Sequence, residues 1–207
     1  MRYASRGREP VWRRAWGIDA SIARLSSALF VLRVFDVVAL PLRGGKGRQW
    51  EGGIKQPYYI KVPGLTQAKS TSAIPVTGTD FFPTMLELAG LPAMPEQHVD
   101  GLSLVPLLKG NKITDRALFW HYPHYGNQGG EPSAIIRKGD WKLIHYYENE
   151  NDELYQLSKD IGEQNNLTAK EPKITQTLRE ELDAWLKETG ALTPLQDKRY
   201  NPVAKKK

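Results

Sequence analysis

The sequence predicts an α/β protein whose carboxy-terminal part is an α+β unit, a small antiparallel sheet covered by one helix. Several short runs rich in strand-forming residues between positions 117 and 157 are separated by turn-forming residues, which is typical of antiparallel strands. After them, apolar residues recur at intervals of three and four, which is typical of an amphipathic helix. Such a helix covers one face of a small sheet, because that face must be kept from water.

The composition is that of a folded, water-soluble protein, and it excludes several kinds of site. Of the 207 residues, 40% are hydrophobic and 25% are charged. No cysteine is present, which excludes disulfides, thiolate metal sites and cysteine nucleophiles. The net charge is +6, but residues 1–40 contribute +4 and residues 41–207 only +2, so the body of the chain does not favour a nucleic-acid partner. The most apolar run, residues 28–40, is shorter than the ~20 residues of a membrane span.

A change in the type of basic residue divides the chain near residue 40. All seven basic residues before Pro41 are arginine, whereas sixteen lysines and six arginines follow it. We therefore expect residues 1–40 to be a leader unrelated to the rest, either fused or mistranslated out of frame. An arginine-rich arm that binds nucleic acid is the alternative. These residues lack the apolar stretch and the cleavage site of a clear secretory signal.

Residues 41–110 predict a loop, a strand and a helix. Five glycines between residues 41 and 53 indicate a loop that approaches its neighbours closely. Residues 58–62 predict a short, mostly buried strand. Residues 79–89 predict a helix with Thr79 as its N-cap. That helix is apolar on nearly every side, so we expect it to lie inside a larger body.

Residues 111–190 predict the sheet and its covering helix. The expected strands span residues 117–120, 133–137, 141–146 and 153–157, with a hairpin turn at residues 138–140. The apolar stripe of the helix falls at Ile174, Leu178, Leu182, Trp185 and Leu186. Thr168 and Glu171 fit a capping box at its start. Residues 191–207 predict a flexible basic tail.

Five motifs, in order, resemble the sulfatase family. The first joins the segment Leu42-Arg43-Gly44-Gly45-Lys46-Gly47 to the segment Glu51-Gly52-Gly53-Ile54. The other four lie at residues 80–90, 100–108, 137–144 and 153–157. One of these motifs alone is a weak signal, but coincidence does not explain five of them in the family's order over residues 41–190.

The resemblance implies a domain organisation and a chemistry. Residues 41–110 are then the remnant of an alkaline-phosphatase-like α/β catalytic domain, and residues 111–190 are the sheet and helix subdomain that follows it. The family hydrolyses sulfate esters with a formylglycine, made from a cysteine or serine, and with a calcium ion that polarises the sulfate. This chain has no cysteine, no serine in the required motif and no Asp-Asn-Gly calcium segment. We therefore expect a carboxy-terminal fragment that is inactive alone, whose parent enzyme supplies calcium and formylglycine from elsewhere.

The resemblance also implies site residues. Lys46 corresponds to a lysine that contacts the sulfate, because glycines around it let the backbone approach a tetrahedral anion. His121 and His124, which have aromatic neighbours, are candidate substrate-binding donors, or else they pack at a strand end. Arg43 and Glu51 either brace the loop by an ion pair or stay solvated. No metal ligand is carried over from the family to this chain.

The expected partner is a small-molecule or carbohydrate sulfate ester. A phosphodiesterase or phosphonate hydrolase of the same superfamily is a second interpretation, and a non-catalytic carbohydrate-binding module is a third. Relatives are often periplasmic or secreted, whereas this amino terminus predicts a cytoplasmic chain if the protein is made as given.

Overall fold

The computed structural model describes residues 40–195 and 197, and its centre is a four-stranded antiparallel sheet. The strands, hydrogen-bonded in this order, are β1 (Ala117–Tyr122), β2 (Ser133–Lys138), β3 (Trp141–Tyr146) and β4 (Asn151–Gln156). The predicted antiparallel sheet is confirmed. Strand β1 extends two residues further than predicted because Tyr122 still pairs with Ser133. The predicted leader and most of the predicted tail lie outside the described residues.

In the sequence that the structure describes, three α-helices precede the sheet and one follows it. They are α1 (Glu51–Ile54), α2 (Phe81–Leu88), α3 (Val105–Leu108) and α4 (Pro172–Glu188). The mixed α/β class that the sequence predicts is confirmed. Across residues 40–195, no helix combines the length and the hydropathy that crossing a bilayer requires.

Side chains alternate between the two faces of the sheet, and α4 covers the face that we call the helix face. Leu178, Leu182 and Leu186 of α4 are buried there. They pack against the side chains that β2, β3 and β4 direct toward this face, which are Ala134, Ile136, Leu143 and Leu154. Ile174 and Trp185 pack at the margin of the same cluster, so the predicted apolar stripe is confirmed.

The start of α4 differs from the prediction. Glu171 is the N-cap and its side chain makes no capping hydrogen bond, so the predicted capping box with Thr168 is wrong. The Thr168 N–H instead donates to Asn166 Oδ1, at 3.0 Å, within the preceding turn. Pro172 lies in the first turn of the helix, where it has no N–H that needs an acceptor and its fixed φ suits a helix. The proline therefore reduces the need for a side-chain cap.

The opposite face of the sheet packs against the glycine-rich loop of residues 41–53 and against α1, and we call it the loop face. Its buried side chains Ile135, Ile144 and Tyr155 form a second apolar cluster that includes Trp50 and Ile54. The sheet is thus covered on both faces. Neighbouring residues of one strand consequently lie in different environments, and this alternation decides which side chains reach the candidate site.

Helix α2 continues from a short 3-10 turn that is capped two residues earlier than the cap that the sequence predicts. Thr77 precedes a short 3-10 turn, Gly78–Asp80, and the Thr77 hydroxyl accepts a hydrogen bond from the Thr79 N–H. The Asp80 carboxylate accepts from the Thr77 N–H at 2.8 Å and completes a capping box. The predicted cap at Thr79 is therefore wrong. Asp80 is fully buried and also accepts from the Arg116 guanidinium at 2.6 Å, so the cap is tied to the start of β1.

The predicted strand at residues 58–62 is not formed. The segment pairs with no strand in the described part of the chain, and Tyr59 is 90% exposed. A strand requires a neighbour for its backbone hydrogen bonds, which this segment does not find here. Next to it, α2 leaves Phe81, Phe82 and Met85 exposed, and a clustered apolar surface is typical of an interaction site. That α2 lies inside a larger body stays a prediction.

Burial raises the pKa of the Tyr147 phenol at the margin of the helix face from 10.0 to about 12. The folded protein therefore keeps a proton that the unfolded chain loses near pH 10. The contribution of Tyr147 to the free energy of unfolding should consequently be constant below pH 10. It should fall as the pH rises toward 12. We expect Tyr147→Phe to reduce the slope of that fall, measured by urea unfolding at a series of alkaline pH values. Tyr59→Phe, at an exposed position, is the control, and equal slopes in both variants would contradict the prediction.

Candidate functional site

A buried cluster of charges attaches the glycine-rich loop to the sheet. Lys142 Nζ lies 3.1 Å from Glu51 Oε1 and 2.8 Å from Glu163 Oε1, and all three side chains are 2% exposed or less. Arg137 reaches the other Glu51 oxygen at 3.3 Å. The Glu51 N–H also donates to Glu163 Oε2 at 2.6 Å. The cluster therefore joins α1, two central strands and the segment after β4.

The pairing of opposite charges offsets part of the cost of burying this cluster. Burial raises the pKa of the Glu163 carboxyl, and the Lys142 ammonium opposes that effect. Removing charges from water is costly unless each charge has partners in good geometry. Here two cations face two carboxylates, so the formal charges balance, while Glu163 Oε1 and Arg137 Nε have no hydrogen-bond partner.

Arg43 anchors the start of the loop in a different way. Its guanidinium donates to the Tyr155 hydroxyl at 2.9 Å and to the Glu163 carbonyl at 2.8 Å. It also lies over the Trp50 ring, 3.8 Å from the centroid, in a cation–π contact. The sequence left open whether Arg43 pairs with Glu51 or stays solvated. Neither alternative holds, because the two side chains bind separate partners on the loop face.

Two glycines let the loop fold back on itself. A Cβ on Gly52 would collide with the carbonyl oxygen of Arg43, and a Cβ on Gly53 would collide with the carbonyl oxygen of Arg48. The Gly52 N–H uses this closeness to donate to the Arg43 carbonyl at 2.9 Å. Only glycine permits so close a backbone approach. The Glu-Gly-Gly sequence at α1 therefore sets the shape of the loop that carries Lys46.

Lys46 lies at a cleft of about 350 Å³, which we call the first cleft. The exposed Lys46 forms one side of it, and Trp120 and Tyr122 at the end of β1 form the other. Amide and carboxylate groups complete the lining, among them Gln49, Gln128 and Glu131. The structure thus brings the glycine-rich loop and the aromatic end of β1 into one concave surface. A sulfate-contact role for Lys46 stays a prediction.

The two candidate histidines lie in different places. His124 is exposed and packs edge-on against Tyr122, with ring centroids 5.6 Å apart, so it borders the first cleft. His121 lies on the helix face, where its Nδ1 accepts from the Tyr147 hydroxyl at 2.8 Å and its Nε2 is 3.1 Å from the Leu192 carbonyl oxygen. The structure therefore does not bring His121 to Lys46. Strand alternation could have shown this, since Trp120 and His121 must point to opposite faces.

A second, larger cleft of about 590 Å³ lies on the same face of the sheet, and the sequence did not predict it. We call it the second cleft. Its lining includes Trp50, Glu131, Tyr146, Asn149, Asn151 and Glu153. Asparagines near a turn are usual in any protein, so only the pairing of β3 with β4 reveals that these side chains converge.

Calcium is not assigned to residues of this chain. Across residues 40–195, no group of three or more histidine, aspartate or glutamate side chains has an arrangement that could hold a metal ion. The buried acids Glu51 and Glu163 are already paired with Lys142. The acidic groups of the described residues therefore do not fit a metal ion.

Residues 46–189 match a family model described as N-sulphoglucosamine sulphohydrolase, C-terminal. A sulfatase of Formosa agariphila is 36% identical over 179 residues, which cover 79% of this chain and 32% of that protein. A Delta 4,5-hexuronate-2-O-sulfatase of Bacteroides thetaiotaomicron is 34% identical over 130 residues, covering 60% of this chain and 26% of that protein. The chain spans a third or less of the length of these curated relatives.

A solved structure shares the fold. It is the crystal structure of Ps i-CgsB in complex with k-i-k-neocarrahexaose, with a TM-score of 0.59 and 22% sequence identity. The similarity covers 83% of this chain and 41% of that one. At this level of identity, the likeness concerns the fold alone.

Because of the buried charge cluster, we expect Lys142 to contribute much more to the free energy of unfolding than Lys138 on the neighbouring strand. Lys142→Met keeps a side chain of similar length but leaves Glu51 and Glu163 without their shared cation. We expect the free energy of unfolding to fall by about 3–5 kcal/mol, measured by urea unfolding followed by circular dichroism. The matched control is Lys138→Met, whose exposed ion pair with Glu181 should contribute below about 1 kcal/mol. Equal losses in the two variants would show that the cluster does not hold the loop.

Proposed function

The chain belongs to the sulfatase family, and on that premise we propose that its first cleft is one wall of a site that hydrolyses a carbohydrate sulfate ester. One observation carries the proposal: Lys46 of the glycine-rich loop and the aromatic end of β1 line the same cleft. Residues 41–110 are then the remnant of an alkaline-phosphatase-like catalytic domain, and residues 111–190 are the subdomain that completes the substrate cleft.

Lys46 supplies the charge that a sulfate ester needs. An ammonium group is a compact cation with three donors, and it can contact sulfate oxygens and stabilise the negative charge that grows on the leaving oxygen. Arg48 in the same lining adds a second positive charge. The cluster around Lys142 fixes the loop, so Lys46 approaches the substrate from a rigid support.

The aromatic wall suits the organic part of the substrate. Trp120 and the half-exposed Tyr122 offer apolar surface that a sugar ring can pack against, with the Gln128 amide beside them for hydroxyl groups. His124 borders this wall through its contact with Tyr122 and is a candidate donor. The proposed site leaves out His121, which lies on the other face of the sheet.

The names of related proteins support a sulfated carbohydrate over a phosphate ester. One relative is named for hexuronate 2-O-sulfate. We infer that the formylglycine and calcium ligands of the parent enzyme lie outside these 207 residues, because the sequence holds no cysteine and no serine in the required motif.

We expect the purified chain not to hydrolyse p-nitrophenyl sulfate, because it contains no precursor of the formylglycine nucleophile. The measurement is release of p-nitrophenolate, with and without added calcium, against a buffer blank. Turnover that persists after chelation of metals and disappears in Lys46→Ala would contradict the proposal that the nucleophile and the calcium ligands lie outside these 207 residues.

Binding should nevertheless depend on Lys46. We expect Lys46→Ala to weaken binding of p-nitrophenyl sulfate at least about fivefold, because a hydrogen bond from a charged donor is lost. The measurement is a titration followed by the indole N–H signal of Trp120 in NMR spectra. Lys55→Ala removes another exposed lysine of the same segment and should leave the affinity unchanged. Equal affinities of the Lys46 variant and the unaltered chain would remove the basis of the proposal.

A further inference from the structure

We propose that the first cleft and the second cleft are two halves of one groove that binds a sulfated oligosaccharide. The sulfated unit lies at Lys46, and an uncharged sugar unit lies in the second cleft. This inference rests on the proposed function, and it adds the length of the substrate and the charge of the neighbouring unit.

The sheet connects the two clefts. Tyr122, Ser133, Tyr146 and Asn151 are successive partners across the four strands, so they form one row at an end of the loop face. The first two of them line the first cleft, and the last two line the second. Glu131 lines both clefts and lies where they meet. The two clefts therefore share Glu131, beside a row of residues whose middle members, Ser133 and Tyr146, are buried.

The next row of the loop face, two residues further along each strand, is covered in its middle by the loop, because Ile135 and Ile144 pack against Trp50 and Ile54. It contains Trp120, Ile135, Ile144 and Glu153 in successive pairs. Trp120 and Ile135 line the first cleft, whereas Glu153 lines the second. Three spacings between neighbouring strands amount to roughly 14 Å, which is long enough for more than one sugar ring.

The two clefts differ in charge. The charged side chains that line the first cleft are Lys46, Arg48 and Glu131, with a net charge of +1. The second cleft has one positive and two negative side chains, a net charge of −1, from Arg43, Glu131 and Glu153. The Asp152 carboxylate points to the helix face, where it pairs with Arg179. A second sulfate or a uronate would be repelled in the second cleft. An uncharged unit rich in hydroxyl groups avoids that cost.

The second cleft holds its polar groups in fixed positions. The Glu153 carboxylate accepts from the Trp50 indole at 3.2 Å and from the Tyr146 hydroxyl at 2.9 Å. Arg43 fixes the Trp50 ring in turn. The exposed amides of Asn149 and Asn151 lie beside this carboxylate and supply both donors and acceptors. A fixed carboxylate suits a sugar hydroxyl, since the carboxylate loses little freedom on binding, and the exposed amides add donors and acceptors.

Two tryptophan signals can report the two clefts separately. Trp120 lines the first cleft and Trp50 the second, and each indole N–H can be assigned in NMR spectra with a Trp→Phe variant. The probes are galactose monosulfate, neocarrabiose monosulfate, which adds one uncharged unit, and a chondroitin disaccharide monosulfate, which adds a uronate. We expect the neocarrabiose probe to shift both signals and to bind about tenfold tighter than the monosaccharide, which shifts the Trp120 signal. The uronate probe should bind no tighter than the monosaccharide.

Variants separate this inference from the proposed function. In the double variant Asn149→Ala, Asn151→Ala, we expect the ratio of neocarrabiose to monosaccharide affinity to fall from about ten to near one. Glu148→Ala, an exposed change in the same turn, should keep the ratio. Circular dichroism verifies that each variant is folded.

The possible outcomes are distinct. If the disaccharide shifts the Trp120 signal alone and binds like the monosaccharide, the inference is overturned and the proposed function stands. A uronate probe that binds as tightly as neocarrabiose would also overturn it. If galactose monosulfate does not bind, or binds independently of Lys46, the proposed function fails and takes the inference with it.

Discussion

The ion cluster around Lys142 is the contact on which the candidate site depends. It is the point where the glycine-rich loop, two central strands and the segment after β4 meet in the interior. An apolar contact could hold the loop near the sheet, but it would not fix its rotation. The hydrogen bond from Lys142 to Glu51 does, and the Glu51 N–H contributes a further directed bond to Glu163. The position of Lys46 over the first cleft follows from this orientation.

Two glycines of the loop and the alternation of side chains along the strands determine the shape of the first cleft. Gly52 and Gly53 let the loop double back without side-chain obstruction, so that it covers the apolar part of the loop face and leaves its end open. Alternation then decides which side chains line the opening: Trp120 and Tyr122 reach it, whereas His121 does not. The site is therefore a joint product of local backbone geometry and strand register.

Much of the fold could be predicted from the sequence, and the failures have identifiable physical causes. Strand and helix periodicity predicted the sheet and the stripe of α4 because both patterns report burial on one side. Residues 58–62 have a strand's composition but find no partner strand, which local propensity cannot reveal. The hydrogen-bond partners of the Arg43 and Glu51 side chains lie more than eighty residues away in the chain, so they were not predictable from spacing. The motif around Lys46 pointed to the cleft, whereas the second cleft required knowledge of the register.

The order of the strands has a consequence for how the chain folds. Each strand pairs with its neighbour in sequence, so the meander needs only short loops to close and can form quickly. The bond from Lys142 to Glu51 spans 91 residues, and closing that long segment is slower. We therefore expect the meander to form first, with the Lys142 ammonium group still hydrated until the Glu51 carboxylate covers it. A newly made chain can thus assemble its carboxy-terminal platform before the loop that bears Lys46 is in place.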